Sequence, residues 1–367
     1  MRGLAALSVI AFHVGVAENA VDHGVISILL RGLQLRFEVF FVLSGFLIYR
    51  PVIASRMEGR PPRPLRRYAR ARALRIIPAF WVALTVLSVW PGLVGMRATT
   101  APLFYGFAQT YSRATIFGGI VPAWSLCVEV AFYVLLPVYA ALLRLRPAPA
   151  GVRGLLSREL PPLAALLAIS GVARGLAPRD PLVSYSLLAW LDGYALGMGL
   201  AVLSVAATQM RWEPAALRTI GRRPGTCWLV AVVPFAAGAV LEQGNRSPLA
   251  VHLLYELAAL GFLLPACFGD SLGGLPRRLL ALRPLAALGT ISYGLYIWHW
   301  SVVWYLRDHG GATWLPGSQY LSLLLATLAV TTAIATLSYV LVERPLLCRK
   351  NPRPRTRRLP APAAASG

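Results

Sequence analysis

Charge is scarce in this 367-residue chain. Charged residues make up 14%, against about 25% in ordinary soluble domains, while apolar residues make up 57%. Such a chain cannot cover itself with polar surface. That excludes the pair of soluble domains its length alone would allow. Lysine is nearly absent: Lys350 stands alone among 36 basic residues. Acidic residues number 14, leaving a formal net charge of +22. In a soluble protein that excess would point to nucleic acid. Here the arginines lie between apolar blocks, where topology signals lie, so no nucleic-acid partner is expected. Arginine in place of lysine, with abundant Ala, Gly and Pro, suggests G+C-rich coding. Cysteine is also sparse. Cys127, Cys227, Cys267 and Cys348 show no CxxC spacing, and they read as small apolar fillers rather than a disulfide frame or metal site. No metal is expected. No secretory signal with a small-residue cleavage site is visible. The first apolar block opens at Leu4, so either the chain starts abruptly or a start codon lies further upstream.

What is present is a series of long apolar blocks. A membrane-crossing helix needs about 20 mostly apolar residues. Ten blocks qualify: Leu4–Ala17, Phe37–Ala54, Ile76–Met96, Pro122–Leu143, Leu160–Val172, Leu182–Ala206, Thr226–Leu241, Leu249–Phe268, Leu285–Leu306 and Tyr320–Val342. The first, fifth and seventh are short. The gaps are too small for a soluble domain. Taken alternately, the inter-block segments carry 28 basic residues on one side and eight on the other. Basic loops stay in the cytoplasm. The expected architecture is therefore an all-α polytopic membrane protein with about ten helices and both termini cytoplasmic. Residues 1–348 form the transmembrane domain. Residues 349–367, rich in Pro, Arg and Ala, read as a disordered cytoplasmic tail suited to anionic lipid headgroups.

Ionisable side chains inside apolar blocks are costly and tend to face the protein interior. Arg2 and His13 are separated by about three helical turns, so they share one face some 16 Å apart. Glu38 opens the second block, and the short hairpin to the first block would bring it near the level of His13. Ser44-Gly45 permits close helix packing. Arg72 and Arg75 are three residues apart and share a face at the cytoplasmic entrance; paired guanidiniums there suit phosphate. In the fourth block Ser125, Glu129 and Phe132 share a face, with Trp124 beside them. A carboxylate as deep as Glu129 needs a partner. In the ninth block Ser292, Tyr296 and His299 repeat that spacing, which favours a polar cavity. Bland readings stand beside these: a satisfied core histidine, a positive-inside cluster, an interfacial aromatic belt.

Six strings then appear in order along nearly the whole chain: RGLAALSVIAFH, FEVFFVLSGFLIYR, RARALRIIPAFW, PAWSLCVEVAFY, ISYGLYIWHW and YVLVERPL. Together they resemble the bacterial membrane acyltransferase-3 family, which includes O-antigen, peptidoglycan, exopolysaccharide and macrolide O-acyltransferases. The resemblance implies a ten-helix core in the bacterial cytoplasmic membrane. That core uses acyl-CoA, with acetyl-CoA the favoured donor, and acylates a hydroxyl, often on a sugar. The family's Arg-x10-His pair falls on Arg2 and His13, its Arg-x-x-Arg pair on Arg72 and Arg75, and its Trp-Ser-Leu…Glu segment on Trp124, Ser125 and Glu129. Two departures stand out. The residues that usually precede the Arg-Gly-Leu-Ala start are missing, and so is the C-terminal hydrolase-like domain of some members. A stand-alone form is expected.

A free hydroxyl is a poor nucleophile and needs a base, for which histidine is suited near neutral pH. His13 is expected to deprotonate the acceptor or to join a covalent acyl relay. Glu38 or Glu129 would orient it or balance its charge. Arg2, Arg72 and Arg75 would hold the CoA donor. Trp124, Ser125, Tyr296 and His299 would line the substrate site. A transporter or flippase of a sugar-containing or lipid-linked substrate fits the same topology, although no inverted repeat or paired broken helices are seen. A membrane scaffold would leave the buried His and Glu unmotivated.

Overall fold

The computed structural model describes residues 1–21, 25–145, 151–176, 180–212, 214–244, 247–268, 274–311, 313–315 and 318–348. The expected tail, 349–367, lies outside the described residues. Within them the chain is all-α, and ten long helices account for the ten apolar blocks. They are α1 (Arg2–Ala17), α2 (Arg36–Met57), α3 (Leu65–Val89), α4 (Trp124–Arg144), α5 (Gly151–Leu176), α6 (Leu191–Gln209), α7 (Pro224–Gln243), α8 (Pro248–Cys267), α9 (Arg283–Asp308) and α10 (Gln319–Ser338). Eight helical segments are long and apolar enough to cross a membrane. The other two are α1, which is 16 residues long, and α9, whose Trp-, Tyr- and His-rich middle lowers its hydropathy.

Two helix starts differ from the hydropathy pattern. α3 begins at Leu65, straight after Pro64, eleven residues before the apolar block. Arginine stems are good helix formers and carry their charge clear of the apolar surface, so Arg66, Arg67, Arg70, Arg72 and Arg75 are helical. α5 begins at Gly151 rather than near Leu160. Of its early polar residues Arg158 and Glu159 are buried, and Glu159 is paired. The Glu159 carboxylate accepts from Tyr49 Oη and from Arg56 Nη1, each at 2.5 Å, which ties α5 to α2.

α2 and α6 form the centre, packed along most of their length. Glycine allows this approach. A Cβ on Gly45 would stand 2.4 Å from Tyr194 O, and one on Gly197 would stand 2.0 Å from Val42 O. Both distances are impossible for a real methyl, so the backbones meet only because those side chains are missing. Phe41, Tyr194 and Phe132 fill the layer beside the contact, with the Phe132 and Tyr194 rings stacked at 3.8 Å. α1, α9 and α10 form a second group, and α7 and α8 a hairpin. After α10 the chain widens into a π-helical turn, Tyr339–Glu343, that buries Glu343.

Candidate active site

α2 serves as a ruler along the polar interior. Around its middle, Leu47 and Ile48 border a small cavity with Arg2, Arg72, Arg75, Glu129 and Tyr133. One to two turns back, Phe40 and Leu43 border a larger cleft of about 730 Å³, walled by α1, α2, α3, α4 and α9. Arg2, Arg75 and Glu129 line both spaces, so the two adjoin. The three expected arginines therefore meet. Among the described residues Arg2 and Arg75 make no ion pair within 4 Å, leaving two guanidiniums facing an open space. Arg72 lies over the Tyr133 ring at 5.3 Å. Glu129, the carboxylate among them, accepts from Tyr133 Oη at 2.5 Å and Ser44 Oγ at 3.3 Å. A cluster with more cations than carboxylates beside a cavity is suited to an anion.

The face read on α1 holds. Arg2, Ala5, Ala6 and Val9 line the cleft, and His13 follows one turn past Val9. His13 itself is half-buried and is not among the cleft's lining residues. Its partner is neither expected carboxylate. His13 Nδ1 lies 2.9 Å from His299 Nε2, with the rings stacked at 5.0 Å. His299 is fully buried, and its Nδ1 faces Tyr296 O at 2.7 Å and Leu295 O at 3.2 Å. A carbonyl only accepts, so His299 Nδ1 carries hydrogen. In the neutral ring Nε2 is then an acceptor. His13 Nδ1–H must donate to it, which leaves His13 Nε2 with a lone pair. The protonation is assigned by this chain of partners. A backbone carbonyl two residues removed thus fixes the tautomer of His13.

Tyr296 and Ser125 both line the cleft, with Ser125 Oγ 2.8 Å from Tyr296 Oη. Tyr296 Oη donates to Pro122 O, so the serine hydroxyl donates to the tyrosine. Trp124 does not reach the cleft. It packs among Phe37, Tyr185 and Trp190 at ring separations of 4.8–5.4 Å, and supports the wall through Phe37. Its indole is therefore a packing element rather than a lining contact.

Several charged residues escaped the sequence reading. Arg36, counted there as a loop cation, is 4% exposed. Its guanidinium lies between Phe12 and Phe37 at 4.1 and 4.3 Å from the ring centres, and it lines the cleft near the histidine pair. Glu343 stands within electrostatic range of Arg2 and Arg75, delivered there by the π-turn. Glu38 does not approach His13. Instead its Oε1 lies 3.2 Å from Nδ1 of His252 on α8. His252 Nε2 faces Asp192 Oδ2 at 2.8 Å and Glu256 Oε1 at 3.5 Å, and Arg174 pairs with the same Asp192 oxygen at 3.1 Å. Ligand atoms of Asp192, His252 and Glu256 lie within 4.8 Å of one another, close enough for a metal. The contacts favour another reading. Both His252 nitrogens face carboxylate oxygens, so both carry hydrogen, and a metal ligand needs a free nitrogen lone pair. His252 and Glu256, at i and i+4 in an apolar block, were the signal that would have revealed this network.

A cleft in a helical bundle with a cationic end, and a histidine of fixed tautomer close by, is an arrangement suited to group transfer within a membrane. The family comparison agrees. The acyltransferase-3 model, an acyltransferase domain, matches residues 1–340, and the chain belongs to that family. Similar proteins include the exopolysaccharide production protein ExoZ of Rhizobium meliloti, 28% identical over 85% of this chain and 89% of that one. The acyltransferase MdmB of Streptomyces mycarofaciens is 27% identical over 96% and 92% of the two chains. The peptidoglycan O-acetyltransferase OatA of Listeria monocytogenes is 24% identical over 96% of this chain and 55% of that one. No solved structure matches the chain.

Proposed function

We propose that the protein is an acyl-CoA-dependent O-acyltransferase of the bacterial cytoplasmic membrane, with both termini cytoplasmic. It transfers an acyl group, acetyl in the simplest case, to a hydroxyl of a carbohydrate or glycosylated natural product. The observation that carries this reading is the His13–His299 pair, which leaves a lone pair on His13 Nε2 one helical turn beyond Val9, the last α1 residue lining a cleft whose other end is cationic. Arg2, Arg72 and Arg75 hold the donor's phosphates. Glu129 moderates the repulsion among them.

In the reaction His13 Nε2 takes the proton of the acceptor hydroxyl. The oxygen attacks the thioester carbonyl, and a C–O bond forms. The C–S bond then breaks, the thiolate takes the proton back from His13, and the products are an ester and free thiol. Arg36 is positioned to stabilise the transient oxyanion, because a buried guanidinium is already in place when the charge develops. The same geometry serves a relay in which His13 is first acylated.

The test uses membranes containing the protein, radiolabelled acetyl-CoA, and a panel of envelope glycans and glycosylated macrolides. Alkali-labile label should enter at least one acceptor in wild type and in none with His13→Ala. Label that persists with His13→Ala removes the base. The absence of label from acetyl-, propionyl- and longer acyl-CoA alike removes the donor.

A further inference from the structure

A second cavity, of about 660 Å³, lies beyond the first turn of α2, at the far end of the ruler from Arg72 and Arg75. Glu38 is separated from Leu47 and Ile48 by roughly ten residues, about 15 Å of helix. The linings of the two ends differ in sign. The near end gathers three arginines; the far cavity presents Glu38, Glu242 and His252 with aromatic Trp190 and Tyr255. Phe37 lines both this cavity and the central cleft, so the two adjoin at its ring. Arg36, the residue before it, stands on the cleft side near the histidine pair.

The polar groups here are incompletely used. Glu38 is 5% exposed and its Oε2 has no hydrogen-bond partner. Glu242 accepts from Tyr255 Oη at 2.5 Å and from the Gln34 amide. Both partners line the cavity as well. Arg174, a cation there beside His252, is already engaged by Asp192 and lies over the Trp190 ring at 4.5 Å. Carboxylates accept from adjacent hydroxyls, and an aromatic face covers the C–H side of a sugar ring. Arg174 and His252 are balanced from behind by Asp192 and Glu256, so Glu38 and Glu242 leave the cavity net acidic, which disfavours the anionic donor and anionic sugars.

We infer that this carboxylate-and-aromatic cavity is the acceptor subsite, that it takes a neutral sugar, and that its hydroxyl reaches the cleft past Phe37. The inference rests on the O-acyltransferase reading above and adds the place and charge class of the acceptor. The donor and acceptor then enter from opposite ends of one bundle, sorted by charge.

The experiment measures binding without turnover. Full-length protein in nanodiscs is titrated with methyl glycosides of neutral hexoses and with methyl glucuronide, following tryptophan fluorescence. Acetyl-CoA binding is measured in parallel. A neutral glycoside should give a saturable change that is lost in Trp190→Phe. Methyl glucuronide should bind at least tenfold more weakly. Glu242→Gln and, separately, Tyr255→Phe should each weaken the neutral glycoside about tenfold and leave acetyl-CoA affinity unchanged. Glu242→Gln should also narrow the discrimination against the uronide. Binding that is indifferent to both variants, or a uronide that binds as well as the neutral sugar, overturns the inference. So does the absence of binding by any glycoside. Failure of the parent reading looks different: sugar binding that depends on Glu242 without acyl transfer from any donor. Acyl transfer with an unchanged acceptor KM in Glu242→Gln leaves the enzyme standing and removes this subsite.

Discussion

His13 and His252 belong to the same bundle and have opposite surroundings. His13 meets a second imidazole, and that ring is held by a backbone carbonyl; the result is a neutral pair with one lone pair to spare. His252 meets three carboxylates, from Glu38, Asp192 and Glu256, and its two nitrogens are both spent. The first arrangement can move a proton. The second holds four elements together: α2, α6, α8 and, through Arg174, α5. Burial alone does not distinguish a working histidine from a structural one; the partners of both nitrogens do.

The largest contrast should come from removing each ring. His13→Ala is expected to lower acyl transfer by roughly 10²–10⁴-fold, the usual range for general base catalysis, with little change in thermal stability in detergent. His252→Leu should lower thermal stability far more than His13→Ala does. It removes the cation that three carboxylates share, and breaking a buried ionic network costs about 3–5 kcal/mol. Thermal unfolding of the two purified variants, measured beside their activity, checks this pairing. Equal destabilisation by both would erase the distinction between them.

The cationic end gives a smaller effect of a different kind. Arg75→Ala removes a guanidinium that lines both adjoining spaces. Charge-assisted hydrogen bonds contribute about 1.5–3 kcal/mol, so the donor KM should rise roughly ten- to hundredfold. The acceptor KM should stay the same. Initial rates over both substrate concentrations separate the two constants, and a rise confined to the acceptor would reverse the assigned ends.

The same contrast explains what could be read from the sequence. The helices were legible because lipid as solvent demands apolar length, and each of the ten blocks falls on its own helix. Arg2 with His13, and Arg72 with Arg75, were legible because helical spacing fixes faces within one segment. Contacts between segments were not. His299 was seen as a lining residue, yet it is fully buried and its contact is with His13 Nδ1. That depends on how α1 lies against α9, which no spacing within either helix reports. Glu38 was assigned to the wrong histidine for the same reason: proximity in the hairpin suggested His13, and α8 supplied His252 from more than two hundred residues away. Arg36 was misread because it stands at a block edge, where an arginine commonly anchors to water; here two aromatic rings and the bundle wall enclose it. Trp124 carried a motif position but packs behind the wall.

His299 offers the finest division between packing and proton positioning. His299→Phe keeps a ring of similar shape and removes the acceptor for His13 Nδ1–H. His13 is then free to adopt either tautomer, and one of them places hydrogen on Nε2, where the acceptor hydroxyl must be met. About a tenfold fall in transfer is expected, smaller than for His13→Ala because the base itself remains. His299→Gln restores a carbonyl acceptor at the end of a side chain of comparable reach, so it should recover part of the loss although it fills the space less well than Phe. If packing were the whole role of His299, the order would invert and Phe would outperform Gln. Comparing kcat for the two variants at equal donor saturation, with their unfolding temperatures as the control, decides which property of the second ring the first one uses.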